Sequence, residues 1–196
     1  DLELFHPPEG NEWDTSVGRE ISRFLREPDK PLILELARPD PRKNIVSLVD
    51  AYGSSPRLQE LANLAVVAGY REDIGDLDEG AQEVLTDLLM AIDRYDLYGK
   101  VAYPKQFTIG DVPVSYRIAA LSGGIFVNPA LTEPFGLTLI EAAASGAPIV
   151  ATEDGGPRDI IGNCNNGVLI DPLDSDSIAD ALVTMLEDPR QRQKLA

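Results

Sequence analysis

A chain of 196 residues, 43% hydrophobic and 26% charged, is long enough for one well-packed domain with a short appendage and too short for two full domains. Its 33 acidic residues against 17 basic ones give a formal net charge of −16, which excludes a general affinity for nucleic acid or an anionic membrane. One cysteine, Cys164, excludes an internal disulfide, and one histidine, His6, leaves no His/Cys metal cluster to find.

Residues 1–31 are rich in Pro, Gly and charge, with one amphipathic stretch from Val17 to Leu25, and read as a linker or the edge of another domain. From Leu32 a regular alternation begins. Short apolar runs at 32–37 (LILELA), 64–69 (LAVVAG), 100–104 (KVAYP), 124–129 (GIFVNP), 148–152 (PIVAT) and 167–171 (GVLID) suit buried parallel strands. Helical patterns lie between them. Residues 45–53 and 112–122 form two; 81–97 puts Val84, Leu88, Ala91 and Ile92 on one face, and 177–188 does so with Ile178, Leu182, Met185 and Leu186. Asp111 and Asp174 are expected as N-caps, and a further helix is expected to start at Pro157. The alternation implies an α/β fold: a Rossmann-like, doubly wound parallel sheet of about six strands spanning residues 32–196. No apolar run of about 18 residues and no signal-peptide core occurs, so a cytoplasmic protein that does not span a membrane is expected. The chain starts at Asp1 without a methionine, which suggests a piece of a longer protein.

Ligands of such sheets bind beyond the carboxyl ends of the strands, so the loops there carry the chemistry. In ARPDPRKNI (37–45) two prolines stiffen the loop and hold Arg38 and Lys43 on either side of it. The pair reads either as two cations for a diphosphate or as solvated loop charges, with Arg42 turned to solvent. In LTEPFGLTLIEAAASG (131–146) a Pro-Phe-Gly turn runs into a helix, whose N–H groups from Gly136 to Leu139 are expected to be free for an anion. No GxGxxG and no Walker lysine loop is present, so any phosphate must be held in another way. Glu133 and Glu141 bracket this turn. Two acceptor-only carboxylates suit sugar hydroxyls, while Glu141 also reads as a helix-start acid favoured by the dipole. Glu153-Asp154-Gly155-Gly156 reads as a structural rim turn, Cys164 as a small loop residue, and Lys105 as a phosphate contact or a solvated lysine.

EPFGLTLIE, two glutamates separated by seven residues, resembles the motif of retaining GT-B nucleotide-sugar glycosyltransferases. With RPDPRKN, ELANLAVVAG, DLYGKVAYPKQ, ATEDGGPRDI and GVLIDP in this order, residues 20 to 188 resemble the donor-binding, C-terminal half of the sucrose-phosphate synthase family. The resemblance implies transfer of glucose from UDP-glucose to fructose 6-phosphate with retention, no cofactor and no obligatory metal. The acceptor would come from an N-terminal domain absent from this chain, so the chain alone would bind without turnover. By resemblance, Glu141 would hold the ribose hydroxyls of UDP and Glu133 the glucosyl 3-hydroxyl. The backbone of Phe135, Gly136 and Leu137 would meet the sugar, and that of Thr138 and Leu139 the phosphates. Arg38 and Lys43 would neutralise the leaving diphosphate. Tyr103 and Pro104 would border the uracil, and Gly69 would leave room in the cleft. Tyr70 departs from the polar residue the family has there, and His6 in the leading segment is no general base. Alternatives are another GT-B enzyme, namely sucrose synthase or one using GDP-mannose or ADP-glucose, and a non-catalytic nucleotide-sugar-binding module.

Overall fold

The six apolar runs form six parallel strands: β1 Leu32–Leu36, β2 Asn63–Val67, β3 Val101–Ala102, β4 Ile125–Asn128, β5 Ile149–Thr152 and β6 Gly167–Ile170. Their order in the single sheet is β3-β2-β1-β4-β5-β6, so the chain reverses its direction of travel between β1 and β4. The structure is a computed structural model that describes residues 3–195; residues 1, 2 and 196, the outer ends of the two expected segments, lie outside the described residues. Nine helices flank the described sheet: α1 Ser16–Ser22, α2 Ile45–Ser54, α3 Pro56–Leu61, α4 Glu79–Arg94, α5 Val112–Leu121, α6 Leu137–Ala144, α7 Gly156–Cys164, α8 Ser175–Glu187 and α9 Pro189–Leu195.

Both faces of the sheet are covered because every central strand is apolar on both sides. Ile33, Leu64, Val66, Ile125, Val127 and Val150 face one core, closed by Leu48 and Tyr52 of α2, Leu88 of α4 and Leu182 of α8. Leu32, Leu34, Ala65, Val67, Phe126 and Ala151 face the other, closed by Ile21 of α1, Tyr116 of α5 and Leu139 of α6. Tyr116 meets Phe126 edge-on at 5.1 Å between ring centroids.

The leading segment is packed into the domain. Thr15 caps α1 by accepting from the Gly18 N–H at 3.1 Å, and Val17, Ile21 and Leu25 are buried in the second core. Glu12 is buried too, accepting from the N–H groups of Glu9 and Gly10 at 2.7 and 2.9 Å beside Arg117. Burial pushes its carboxyl upward, and these partners outweigh that and hold it low.

Two local expectations are corrected. Asp174 caps α8 as expected, accepting from the N–H groups of Asp176 and Ser177. Asp111 does not cap α5: it ends a 3-10 turn, Ile109–Asp111, and its carboxylate turns back to accept from the N–H and hydroxyl of Thr108 at 2.7 and 2.8 Å. The run of four free N–H groups at α6 shrinks to two, as described below. The edge strand β3 is also short, because past Ala102 the carbonyls of Tyr103 and Pro104 accept from the Arg71 guanidinium at 3.2 and 3.1 Å instead of from a neighbouring strand.

Candidate functional site

A cavity of about 620 Å³ opens at the carboxyl end of the sheet, where the strand order reverses. Leu36, Ala37 and Arg38 after β1, Val67, Gly69 and Tyr70 after β2, Asn128 at the end of β4 and Thr138 in α6 line it, with Glu35, Lys43 and the segment from Phe107 to Val112. Of the site residues expected from sequence, Arg38, Lys43, Gly69 and Thr138 share this wall.

Local chemistry fixes Lys43. Asp40 starts a 3-10 turn, Pro41–Lys43, by accepting from the Arg42 N–H at 2.9 Å. Its hydrogen bonds with Arg42 pull the Asp40 carboxyl down to about 2, and Arg42 itself is turned to solvent. Asn44 then takes a left-handed conformation, φ 57°, that lets its side-chain amide donate to the carbonyls of Pro129 and Pro172 at 3.0 and 2.8 Å. The loop after β1 is thereby tied to the loops after β4 and β6, with Lys43 facing inward.

The Lys43 ammonium donates to Glu133 at 2.7 Å. The same carboxylate accepts from the Gly136 N–H at 3.1 Å and from the Asn128 amide at 3.4 Å. Burial raises the Glu133 carboxyl, but the Lys43 and Gly136 hydrogen bonds prevail and leave it below its ordinary value. Glu133 is fixed from behind as well. It forms a bridge with Gly155, its N–H donates to the Asp154 carbonyl at 3.1 Å, and its carbonyl accepts from the Gly156 N–H at 2.8 Å. The Glu153–Gly156 turn thus acts as a strap under the Glu133 loop, and α7 starts directly from it with Pro157 in its first turn.

Gly136 caps α6 at φ 73°, a conformation natural to glycine. Its N–H is used by Glu133, and the Leu139 N–H donates to the Gly136 carbonyl at 3.0 Å. The free donors of the first turn are therefore the Leu137 and Thr138 amides, among the described residues. The Phe135 and Leu137 side chains are 79% and 68% exposed, so both leave their backbone open, while the Leu139 side chain is buried in the core.

Glu141 lies one turn further along α6, half-buried, and accepts from the Tyr116 hydroxyl at 3.3 Å. Burial raises its carboxyl above the ordinary value despite that bond, and a carboxylate, with about four acceptor sites, can accept more than the one hydrogen bond from Tyr116. Tyr103 and Pro104 do not line the main cavity. Tyr103 packs against Phe24 at 4.8 Å and borders a separate hollow with Arg23, Arg71 and Lys105, and Pro104 borders a smaller one beside α1. The reason is topological: β3 is the sheet edge, two strands from the point of reversal. Tyr70 lines the cavity with its hydroxyl donating to Glu72 at 2.9 Å.

Sequence reading missed Glu35 and Asn128. Asn128, the polar end of an otherwise apolar strand, links Glu133 to the Thr138 hydroxyl, each at 3.4 Å. Glu35 is the one charge in LILELA and is fully buried, which pushes its carboxyl up to about 8 against the pull of Lys43. Among the described residues no group of three or more His, Cys, Asp and Glu is placed to hold a metal ion, and no helix is long and apolar enough to cross a membrane.

The family model described as glycosyl transferases group 1 matches residues 18–196. Sucrose-phosphate synthase of Zea mays is 57% identical over 172 residues, covering 88% of this chain and 16% of the relative. That of Spinacia oleracea is 55% identical over 175 residues, covering 89% and 17%. The chain thus spans about a sixth of the length of the curated relatives it matches. Among solved structures, sucrose-phosphate synthase from Thermosynechococcus elongatus superposes with a TM-score of 0.78 at 27% identity, over 100% of this chain and 43% of that one. HepE of Anabaena, solved in complex with UDP and glucose, superposes with a TM-score of 0.78 at 21% identity, over 100% and 47%, a likeness of fold. The architecture is that of the C-terminal half of a GT-B glycosyltransferase.

Proposed function

Because the chain belongs to the group 1 glycosyl transferases, we propose that its cavity binds UDP-glucose as the donor half of an enzyme that glucosylates fructose 6-phosphate to sucrose 6-phosphate. The observation that carries this reading is the convergence of Arg38, Lys43 and the Thr138 amide on one cavity at the point of strand reversal. Two cations and two open amides suit a diphosphate, and Lys43 and the amides are fixed before the ligand arrives. As the bond from the anomeric carbon to the diphosphate breaks, negative charge builds on the leaving oxygens, where fixed cations and amides act most strongly. The acceptor oxygen attacks from the face that the diphosphate leaves, its proton passes to the departing phosphate, and configuration is retained. No metal is required in this scheme.

Glu141 takes the ribose hydroxyls, using the acceptor capacity that the Tyr116 hydroxyl leaves open. Glu133 takes the glucosyl 3-hydroxyl and at the same time aims Lys43. The Phe135, Gly136 and Leu137 backbone meets the sugar, and the Leu137 and Thr138 amides meet the phosphates. Neither carboxylate works as a general acid or base. The acceptor sugar phosphate belongs to a partner domain of the whole enzyme, so this chain binds the nucleotide sugar without turnover. High identity to sucrose-phosphate synthases of Zea mays and Spinacia oleracea supports UDP-glucose over GDP- or ADP-linked donors.

Calorimetric titration with UDP, GDP and ADP checks the reading. UDP is expected to bind at least about tenfold more tightly than the other two, and Glu141→Ala to weaken UDP by about tenfold through loss of the ribose contact. Equal binding of all three nucleotides, or an unaffected Glu141→Ala, would overturn the base and ribose assignments.

A further inference from the structure

Glu35 has no part in the reaction described above. It is the fourth residue of β1, opposite the apolar Val66 of β2, in a strand otherwise built from Leu and Ile. It is only 2% exposed, and its Oε2 has no hydrogen-bond partner among the described residues. An orphaned buried carboxyl is costly for folding, and leucine or valine would fill the same place. The residue also lines the main cavity together with Arg38, Lys43, Asn128 and Thr138.

The charged groups around it decide what it can do there. Arg38 comes from the loop after β1, and Lys43 from the 3-10 turn before α2. Glu133, from the loop after β4, already holds Lys43 at 2.7 Å. On the α5 side the Tyr116 phenol is hydrogen-bonded to Glu141 of α6 and feels Glu35. Of the two cations that line the cavity Lys43 is already paired with Glu133, which leaves the single positive charge of Arg38. Ionisation of Glu35 cancels that charge and places a carboxylate beside the seat of the diphosphate. Burial without a partner favours the neutral acid near neutral pH, and Lys43 alone does not reverse the balance.

We propose that Glu35 is a binding-determining residue of the cavity: it serves as an uncharged acid, and loss of its proton weakens the grip on the diphosphate of a nucleotide sugar. The inference rests on the assignment of this cavity to a nucleotide sugar. Bound diphosphate opposes the ionisation of Glu35 further, so binding takes up a proton wherever free Glu35 is partly ionised. The direction follows: affinity is full below the range in which the folded-state acid ionises and declines as pH rises through it.

The test is calorimetry of UDP-glucose binding to this chain from about pH 6.5 to about pH 9, in buffers of different ionisation enthalpy. The parent is expected to lose about tenfold in affinity across that range, one pH unit past the midpoint being worth a factor of ten, and to take up protons on binding near its upper end. Glu35→Gln, shaped like the neutral acid, is expected to lose less than about twofold and to take up none. The titration of the uracil ring is common to both and cancels in the comparison. Glu35→Met, read in the same way, replaces the glutamine variant if that variant does not fold. Equal pH profiles and equal proton uptake in parent and variant overturn the inference. Absence of UDP-glucose binding in both at every pH overturns the nucleotide-sugar assignment first and the inference with it.

Discussion

Replacing Lys43 by alanine is expected to lower the affinity of the chain for UDP-glucose, the proposed donor, by about a hundredfold, close to 2.7 kcal/mol. Two effects add. In the proposed complex the ammonium would supply a charge-assisted hydrogen bond to the diphosphate from a position fixed by the Asp40 and Asn44 turns. It also neutralises Glu133, whose side chain is 12% exposed against 30% for Lys43. Without Lys43 that carboxylate faces the incoming phosphates unpaired, and breaking one side of a desolvated pair costs about 2–5 kcal/mol in such settings. Removing the repulsion should restore part of the loss, so Lys43→Ala with Glu133→Gln is expected to bind about tenfold better than Lys43→Ala alone. Calorimetry of the parent, both single variants and the double variant measures this. Affinity of Lys43→Ala within about threefold of the parent would remove the lysine from the phosphate site.

Gly155→Ala is the second large effect. Gly155 has φ 96° and ψ −143°, a region that alanine populates only with strain. A methyl group there would also run into the Glu133 carbonyl oxygen. The strap must then move, and with it the loop that carries Glu133 and the Gly136 cap. Destabilisation of about 2–4 kcal/mol is expected in urea unfolding, together with about a tenfold loss of UDP-glucose affinity in the molecules that remain folded. A variant that matches the parent in both would mean that the Glu153–Gly156 turn does not support the site.

All six strands could be read from sequence because each is a short run of apolar residues with little charge; five of them are buried almost throughout, while the edge strand β6 is only partly covered. The helices with a wide apolar stripe could be read for the same reason. α3 could not, since its six residues make less than two turns and bury only Leu58. α9 buries no residue, and its start depends on the Asp188 carboxylate accepting from the Arg190 and Gln191 N–H groups. Asp111 looked like a cap because it precedes an apolar helix, yet Thr108 three residues earlier competes for the same carboxylate and wins.

Within the site, loop position made Arg38 and Lys43 legible and the helix start after β4 made Thr138 so, while Gly69 came with the family resemblance. The Lys43–Glu133 pair was not, because 90 residues separate its members and only the β1–β4 adjacency brings them together. Tyr103 and Pro104 enter only through the family resemblance, and here they border separate hollows because their strand is the sheet edge. Glu35 carries its own signal in the sequence: a lone carboxylate in an apolar parallel strand is an anomaly that asks for a partner.

The central claim is that one cavity holds the diphosphate between Arg38, Lys43 and the start of α6, with the ribose at Glu141. A crystal structure of this chain with UDP-glucose tests it most directly. The expected result is diphosphate oxygens within hydrogen-bond reach of the Lys43 ammonium and the Leu137 and Thr138 amides, and ribose hydroxyls on the Glu141 carboxylate. A nucleotide bound instead in the hollow of Arg23, Arg71 and Lys105, or one with its ribose away from Glu141, would contradict the claim.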